Sequence, residues 1–162
     1  DNDPVIFLEH KTLYDTSCEV PDEDYLIPFG QAAFTREGSD ITIVSMSSMV
    51  LRCNEVADKL AAEGIHADVI DLRTVSPIDE GAVLESVEVS GRLVIVDEAN
   101  ERCSMASEIS SIVAEKAFHS LRAPIAKVAA PHSPVPFAPS LEDIYVPTVE
   151  RIEAAVRATL EA

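Results

Sequence analysis

The sequence predicts a single α/β domain, and three observations carry that expectation. Past Gly38 the apolar residues switch repeatedly between short continuous runs and a spacing of three and four, giving the pattern β-α-β-α-β-α-β-α. The strand-like runs are apolar at nearly every residue, as strands buried on both faces require. The 162 residues suffice for one domain that buries roughly 70% of the surface its unfolded chain would expose.

The elements follow in order. "ITIVSM", Ile41 to Met46, reads as a buried strand. Ser47 or Ser48 can cap the next helix, whose apolar residues Met49, Val50, Cys53, Val56, Ala57 and Leu60 share a face, with Gly64 placed to stop it. "ADVIDL", Ala67 to Leu72, is the second strand, and Ser76-Pro77 reads as a helix start, because proline loses nothing by lacking an N–H in the first turn. Gly91 ends that helix. "LVIVDE" from Leu93 is the third strand, and Met105, Ile109, Ile112 and Val113 mark the helix after it. "IAKVAA", Ile125 to Ala130, is the fourth strand, and Thr148 caps a last helix with Ile152, Ala155, Val156 and Leu160 on one face.

Two segments break this rhythm. "PVIFLEH" at the start reads as a further strand. The acidic stretch with Asp15, Glu19, Asp22, Glu23 and Asp24 follows, so residues 1–38 form an edge strand and an acidic lead-in. "PHSPVPFAPS" has four prolines in ten residues, too rigid for a helix and short of ladder donors.

Composition narrows the function. Twelve basic against 29 acidic residues give a formal charge of -17, which repels nucleic acid and anionic lipid and favours a basic protein partner. Cys18, Cys53 and Cys103 stand far apart and odd in number, indicating neither a disulfide framework nor a zinc site and fitting a reducing cytoplasmic setting. No apolar run approaches the ~18 to 20 residues of a spanning helix. The chain begins at Asp1 without methionine, which reads as a fragment or a processed product.

If the strands are parallel, their carboxyl ends meet on one edge of the sheet, where such folds place ligands. Ser45, Ser47 and Ser48, then Asp71, Arg73 and Thr74, then Asp97 to Arg102, then His132 and Ser133 collect there. Helix caps and turn residues would account for any one of these alone. Five glycines in the whole chain build neither G-x-G-x-x-G nor a phosphate loop, so a nucleotide is not expected. Cys103 near a helix start has the makings of a nucleophile, but no histidine is near it in sequence, and a buried or capping cysteine accounts for it better. Asp97 and Glu98 adjoin on a strand, so their carboxylates point to opposite sides and cannot share a proton. The scattered His10, His66, His119 and His132 have no metal-ligand spacing. The proline-rich loop, with Phe137 and Tyr145 beside prolines, reads as a preformed docking surface.

Several long stretches also resemble a known family: "PVIFLEHKTLYD", "EVPDEDYLIPFGQA", "REGSDITIVSMSSMV", "VIDLRTVSPID", "GRLVIVDEANERC" and "APHSPVPFAPSLEDIYVP". In this order they are similar to the carboxyl-terminal domain of the β subunit of thiamine-diphosphate-dependent 2-oxo acid dehydrogenase decarboxylase components. "DEANERC" and "PHSPVPF" with "LEDIYVP" are most similar to acetoin dehydrogenase β subunits, with Glu101 where proline is expected.

The resemblance implies a three-layer transketolase carboxyl-terminal fold over residues 1–162, mainly parallel with one antiparallel edge strand and helices on both faces. It implies that thiamine diphosphate and magnesium are held elsewhere in the full enzyme, by an absent pyrimidine-binding domain and the α subunit, so no catalytic, cofactor or metal residue is expected here. The partners implied are the decarboxylase α subunit, a second β subunit and the lipoyl acyltransferase component. Asp97, Glu98, Arg102, His132, Val135, Phe137, Tyr145 and Glu161 are the interface candidates, with Glu63 taken as an outward-facing acid for contrast. The other readings are the same domain of a pyruvate or branched-chain 2-oxo acid dehydrogenase, a stand-alone interaction domain without catalysis, and a hydrolase built on Cys103 or a crest serine.

Overall fold

The structure, a computed structural model, describes residues 2–162; Asp1, the first residue of the 1–38 segment, lies outside the described residues. Five strands form one sheet: β1 (Ala33–Arg36), β2 (Ile41–Ser45), β3 (Ala67–Asp71), β4 (Leu93–Asn100) and β5 (Ala126–Ala130), in the order β1-β3-β2-β4-β5. β1 is antiparallel to β3, and the remaining pairs are parallel. The helices are α1 (Met49–Ala61), α2 (Glu80–Ser90), α3 (Met105–Lys116), the short α4 (Pro139–Tyr145) and α5 (Val149–Glu161).

Strand alternation divides the core into two layers. Ile41, Ile43, Val69, Val94 and Val96 face α1 and α5, which bring Met49, Cys53, Val56, Leu60, Ile152 and Val156. Val44, Ile70, Leu93 and Ile95 face α2 and α3, which bring Val83, Val87, Ile109 and Val113. On that second face Thr42 is also buried. Its hydroxyl lies 2.7 Å from both Ser86 Oγ and Ser90 Oγ, and Ser86 in turn donates to the buried Asp68. The other oxygen of Asp68 accepts from the Gly38 N–H at 2.7 Å, so these buried polar side chains all have partners. Glycine is required at position 38: a Cβ there would lie 2.3 Å from the His66 backbone.

The caps mostly fall where the residues place them. Thr148 accepts from the Arg151 N–H at the start of α5, and Gly91 ends α2 with φ 69°. Two expectations shift. The antiparallel edge strand is Ala33–Arg36, not the stretch from Pro4 to His10, which has no ladder partner. β3 offers one free edge, and β1 is held on it by Thr35 donating to Asn54 and by Arg36 paired with Asp58. The helix expected at Ser76-Pro77 starts at Glu80, because Asp79 accepts from the Ala82 N–H and is the better cap. The end of the proline-rich loop also turns into α4, with Pro139 in its first turn, where a missing N–H costs nothing.

Candidate functional site

The parallel strands run β3-β2-β4-β5, so the chain leaves β2 toward one side of the sheet and later returns to β4 on the other. The crevice between the carboxyl ends of β2 and β4 is the switch point at which open α/β sheets receive ligands. Here three of the protein's own side chains meet. Ser48 Oγ donates to Glu98 Oε2 at 2.9 Å, and His10 Nε2, from the lead-in, lies 3.1 Å from Glu98 Oε1. His10 Nδ1 accepts from the Thr12 N–H at 3.3 Å, which leaves the ring proton of a neutral imidazole on Nε2, pointing at Glu98.

Asp97 faces the other way, as strand alternation requires. It is 5% exposed, and its carboxylate accepts from the Ala99 N–H at 2.9 Å and the Ala106 N–H at 3.4 Å, so it sits over the first turn of α3. Asn100, two residues beyond Glu98, accepts from the Arg102 N–H at 3.2 Å and lies 3.3 Å from His132 Nδ1. The end of β4 thus ties down both irregular segments, the lead-in through Glu98 and the proline-rich loop through Asn100.

Three of the four crest turns pass through a left-handed residue that is not glycine: Ser47 after β2, Arg73 after β3 and Cys103 after β4, with φ between 53° and 56°. At the second of these, burial raises the Asp71 carboxyl pKa, and the Arg73 side chain and N–H pull it back down. Cys103 itself is exposed and precedes the cap residue Ser104, so the expectation of a buried or capping cysteine does not hold. It opens on a shallow cleft of about 650 Å³ whose walls include Val75, Ile78, Met105 and Glu108 and no histidine. The hydrolase reading therefore has no histidine base in the cleft beside this thiol. Among the described residues, no cluster of three or more metal-ligating side chains forms and no helix is long and apolar enough to cross a membrane.

The other interface candidates separate. Val135 and Phe137 of the proline-rich loop are exposed, Phe137 100%, and so are Leu141 and Ile144 of α4. Tyr145, by contrast, is 9% exposed: its hydroxyl donates to the Ser133 carbonyl at 2.8 Å and holds the loop from beneath. Arg102 and Glu161 are exposed. Glu63, expected as a free outward-facing acid, is paired instead. It lies in the turn after α1, where Arg157 donates to both its oxygens at 2.7 and 2.9 Å and lowers its carboxyl pKa.

Residues 30–152 match the family model described as the transketolase C-terminal domain. The chain is 55% identical over 161 residues to the acetoin:2,6-dichlorophenolindophenol oxidoreductase subunit beta of Cupriavidus necator, covering 99% of this chain and 48% of that protein. It is 41% identical over 162 residues to the pyruvate dehydrogenase E1 component subunit beta of Bacillus subtilis, covering 99% of this chain and 50% of that one. The chain thus spans about half the length of the curated relatives it matches. Among solved structures, a split-gene transketolase described as an inactive beta4 tetramer superposes with a TM-score of 0.74 at 29% identity, over 89% of this chain and 46% of that one. With the mixed five-stranded sheet and its antiparallel edge, these matches make the chain a member of the transketolase C-terminal domain family.

Proposed function

We propose that this chain is the assembly and docking domain of the β subunit of a thiamine-diphosphate-dependent acetoin dehydrogenase, which cleaves acetoin and passes the acyl group to a lipoyl arm. The observation that carries the reading is the crest. His10 and Glu98 meet at its switch point, while Val5 to Leu8 of the lead-in, Val135 and Phe137 of the proline-rich loop and Leu141 and Ile144 of α4 are exposed. An apolar surface of that kind marks contact with another protein. The 55% identity to an acetoin-oxidising β subunit, against 41% to a pyruvate dehydrogenase one, favours acetoin over a 2-oxo acid.

The cofactor's diphosphate does not fit this crest. The starts of α2 and α3 are taken by Asp79 and by Asp97 with Ser104, and Glu98 holds Ser48 at the start of α1. A diphosphate would meet those carboxylates instead of free N–H groups. No chemical step is therefore assigned to these residues. The partners in this reading are a second β subunit on the apolar crest, the α subunit that holds the diphosphate, and a basic domain of the lipoyl acyltransferase drawn to the -17 charge.

Surface plasmon resonance with the acyltransferase's subunit-binding domain across a salt series tests the docking. On-rate falls steeply with salt, since screening shortens from about 8 Å at physiological ionic strength to about 3 Å at 1 M. Glu161→Lys, at the end of α5, lowers it several-fold more than Glu88→Lys on the exposed side of α2. A flat on-rate, or equal effects of the two substitutions, removes the electrostatic docking.

A further inference from the structure

Residues 116–141 contain no Asp or Glu, although 29 of the chain's 162 residues are acidic. The first part of this run, from Lys116 to the start of β5, lies at the amino-terminal edge of the sheet, opposite the crest. A cleft of about 630 Å³ opens there. Phe118, Leu121, Pro124 and Ile125 give it an apolar lining, and His119 and Arg122 are its polar side chains, with no acid among them; the cleft beside Cys103, by contrast, includes Glu108. Leu121 and Ile125 also pack against the α2–α3 layer of the core, which fixes the lining in place. Arg122 is held with its charge unpaired. Its N–H donates to the Gly91 carbonyl at 2.7 Å, and its stem lies so close to Gly91 that a Cβ there would sit 2.8 Å from Cγ and Cδ. Among the described residues no carboxylate pairs with its guanidinium, nor with that of Arg92 beside Gly91, whose buried Nε has no hydrogen-bond partner. The carboxyl end of α3 disfavours an anion, but the Ala117 and Phe118 carbonyls already accept from the Ser120 and Leu121 N–H groups at 3.0 and 3.2 Å, which blunts that effect.

We propose that this cleft binds a small carboxylate with an apolar tail, its charge on the Arg122 guanidinium and its tail over Phe118, Leu121, Pro124 and Ile125. The volume falls within the roughly 300–1,000 Å³ of small-molecule sites, where an apolar lining supplies affinity and a few polar groups fix orientation. A guanidinium gives a carboxylate two parallel charge-assisted hydrogen bonds, which an uncharged molecule cannot match. The net charge of -17 repels anions at a distance, so an acid is favoured only where a cation stands without a carboxylate beside it, and the acid-free run provides that place. The cleft lies at the opposite edge of the sheet from the crest, so the inference stands independently of the assembly reading.

Hexanoate titrated into the isotope-labelled 162-residue chain at constant ionic strength tests the site by NMR, with hexanol as the uncharged probe of equal length. The amide signals from Phe118 to Ala123 are expected to move saturably, with a dissociation constant of about 1 mM or tighter. Hexanol is expected to bind about ten-fold more weakly, the size of one missing charge-assisted hydrogen bond. Arg122→Gln weakens hexanoate by the same factor and leaves hexanol unchanged, whereas Phe118→Ser weakens both probes. Both side chains are exposed, and unshifted signals from the rest of the chain report that each variant remains folded. The wild-type comparison of hexanoate with hexanol decides the charge recognition without any variant. Movement that does not saturate, movement centred away from the cleft, equal binding of the two probes, or hexanoate binding unchanged in Arg122→Gln overturns the proposal.

Discussion

The body of the domain and the two segments that decorate its crest use the same kinds of side chain in opposite ways. From β2 to β5 and in α5, Ile43, Leu60, Val69, Val94 and Ile152 are wholly buried between sheet and helices. In the lead-in and the proline-rich loop, Leu8, Leu26 and Phe137 are 86%, 95% and 100% exposed. Hydrophobicity therefore does not separate the two regions. Backbone pairing does: a strand whose N–H and C=O groups are in a ladder brings its apolar side chains into a layer that helices can cover. A segment without a ladder partner keeps its apolar side chains on the outside, where another protein can bury them.

The sharpest way to break this contrast is to truncate one apolar side chain from each region. Leu60→Ala removes a fully buried side chain between α1 and the sheet and is expected to cost about 2–5 kcal/mol of unfolding free energy. Leu26→Ala in the lead-in is expected to stay within about 0.5 kcal/mol of wild type. Urea unfolding at one fixed protein concentration compares them, since association shifts apparent stability. Similar losses at both positions would mean that the lead-in belongs to the folded core.

A second, smaller effect distinguishes the interior by its chemistry. Burial raises the Cys53 thiol pKa to about 12 from an ordinary value near 9, with a hydrogen bond to Ser45 opposing it. The native state then holds this proton more tightly than the unfolded chain. The contribution is complete below pH 9 and is lost as the pH rises toward 12, at a slope of at most about 1.4 kcal/mol per pH unit. Cys53→Ala should flatten the alkaline limb of stability against pH by up to one proton. Equal alkaline slopes in wild type and Cys53→Ala would show that the buried thiol does not titrate with unfolding.

The helix-and-sheet rhythm of the body was legible in the sequence because burial on both faces writes itself into local periodicity. Thr148 and Gly91 sit where caps were expected because caps are set by one or two residues. What was not legible depends on distance or on competition. "PVIFLEH" has the composition of a strand, but whether a strand finds an edge is decided by the rest of the sheet. Ala33–Arg36, four residues with only Phe34 strongly apolar, took that edge instead. Ser76-Pro77 lost the helix start to Asp79, three residues on, which offered a side-chain acceptor.

The crest turns left no signature because Ser47, Arg73 and Cys103 occupy the left-handed positions where glycine would have marked them. The His10–Glu98 contact joins residues 88 apart, and no periodicity carries that. The alternation of Asp97 and Glu98 to opposite faces was readable, since it follows from strand geometry alone.

If the exposed apolar side chains of the proline-rich loop and α4 form an assembly surface, sedimentation equilibrium of the 162-residue chain at rising concentration shows a reversible self-association. Phe137→Ser combined with Ile144→Ser then weakens it at least ten-fold, both side chains being exposed in the single chain and outside its core. A strict monomer at high concentration, or an association untouched by that pair of substitutions, would contradict it.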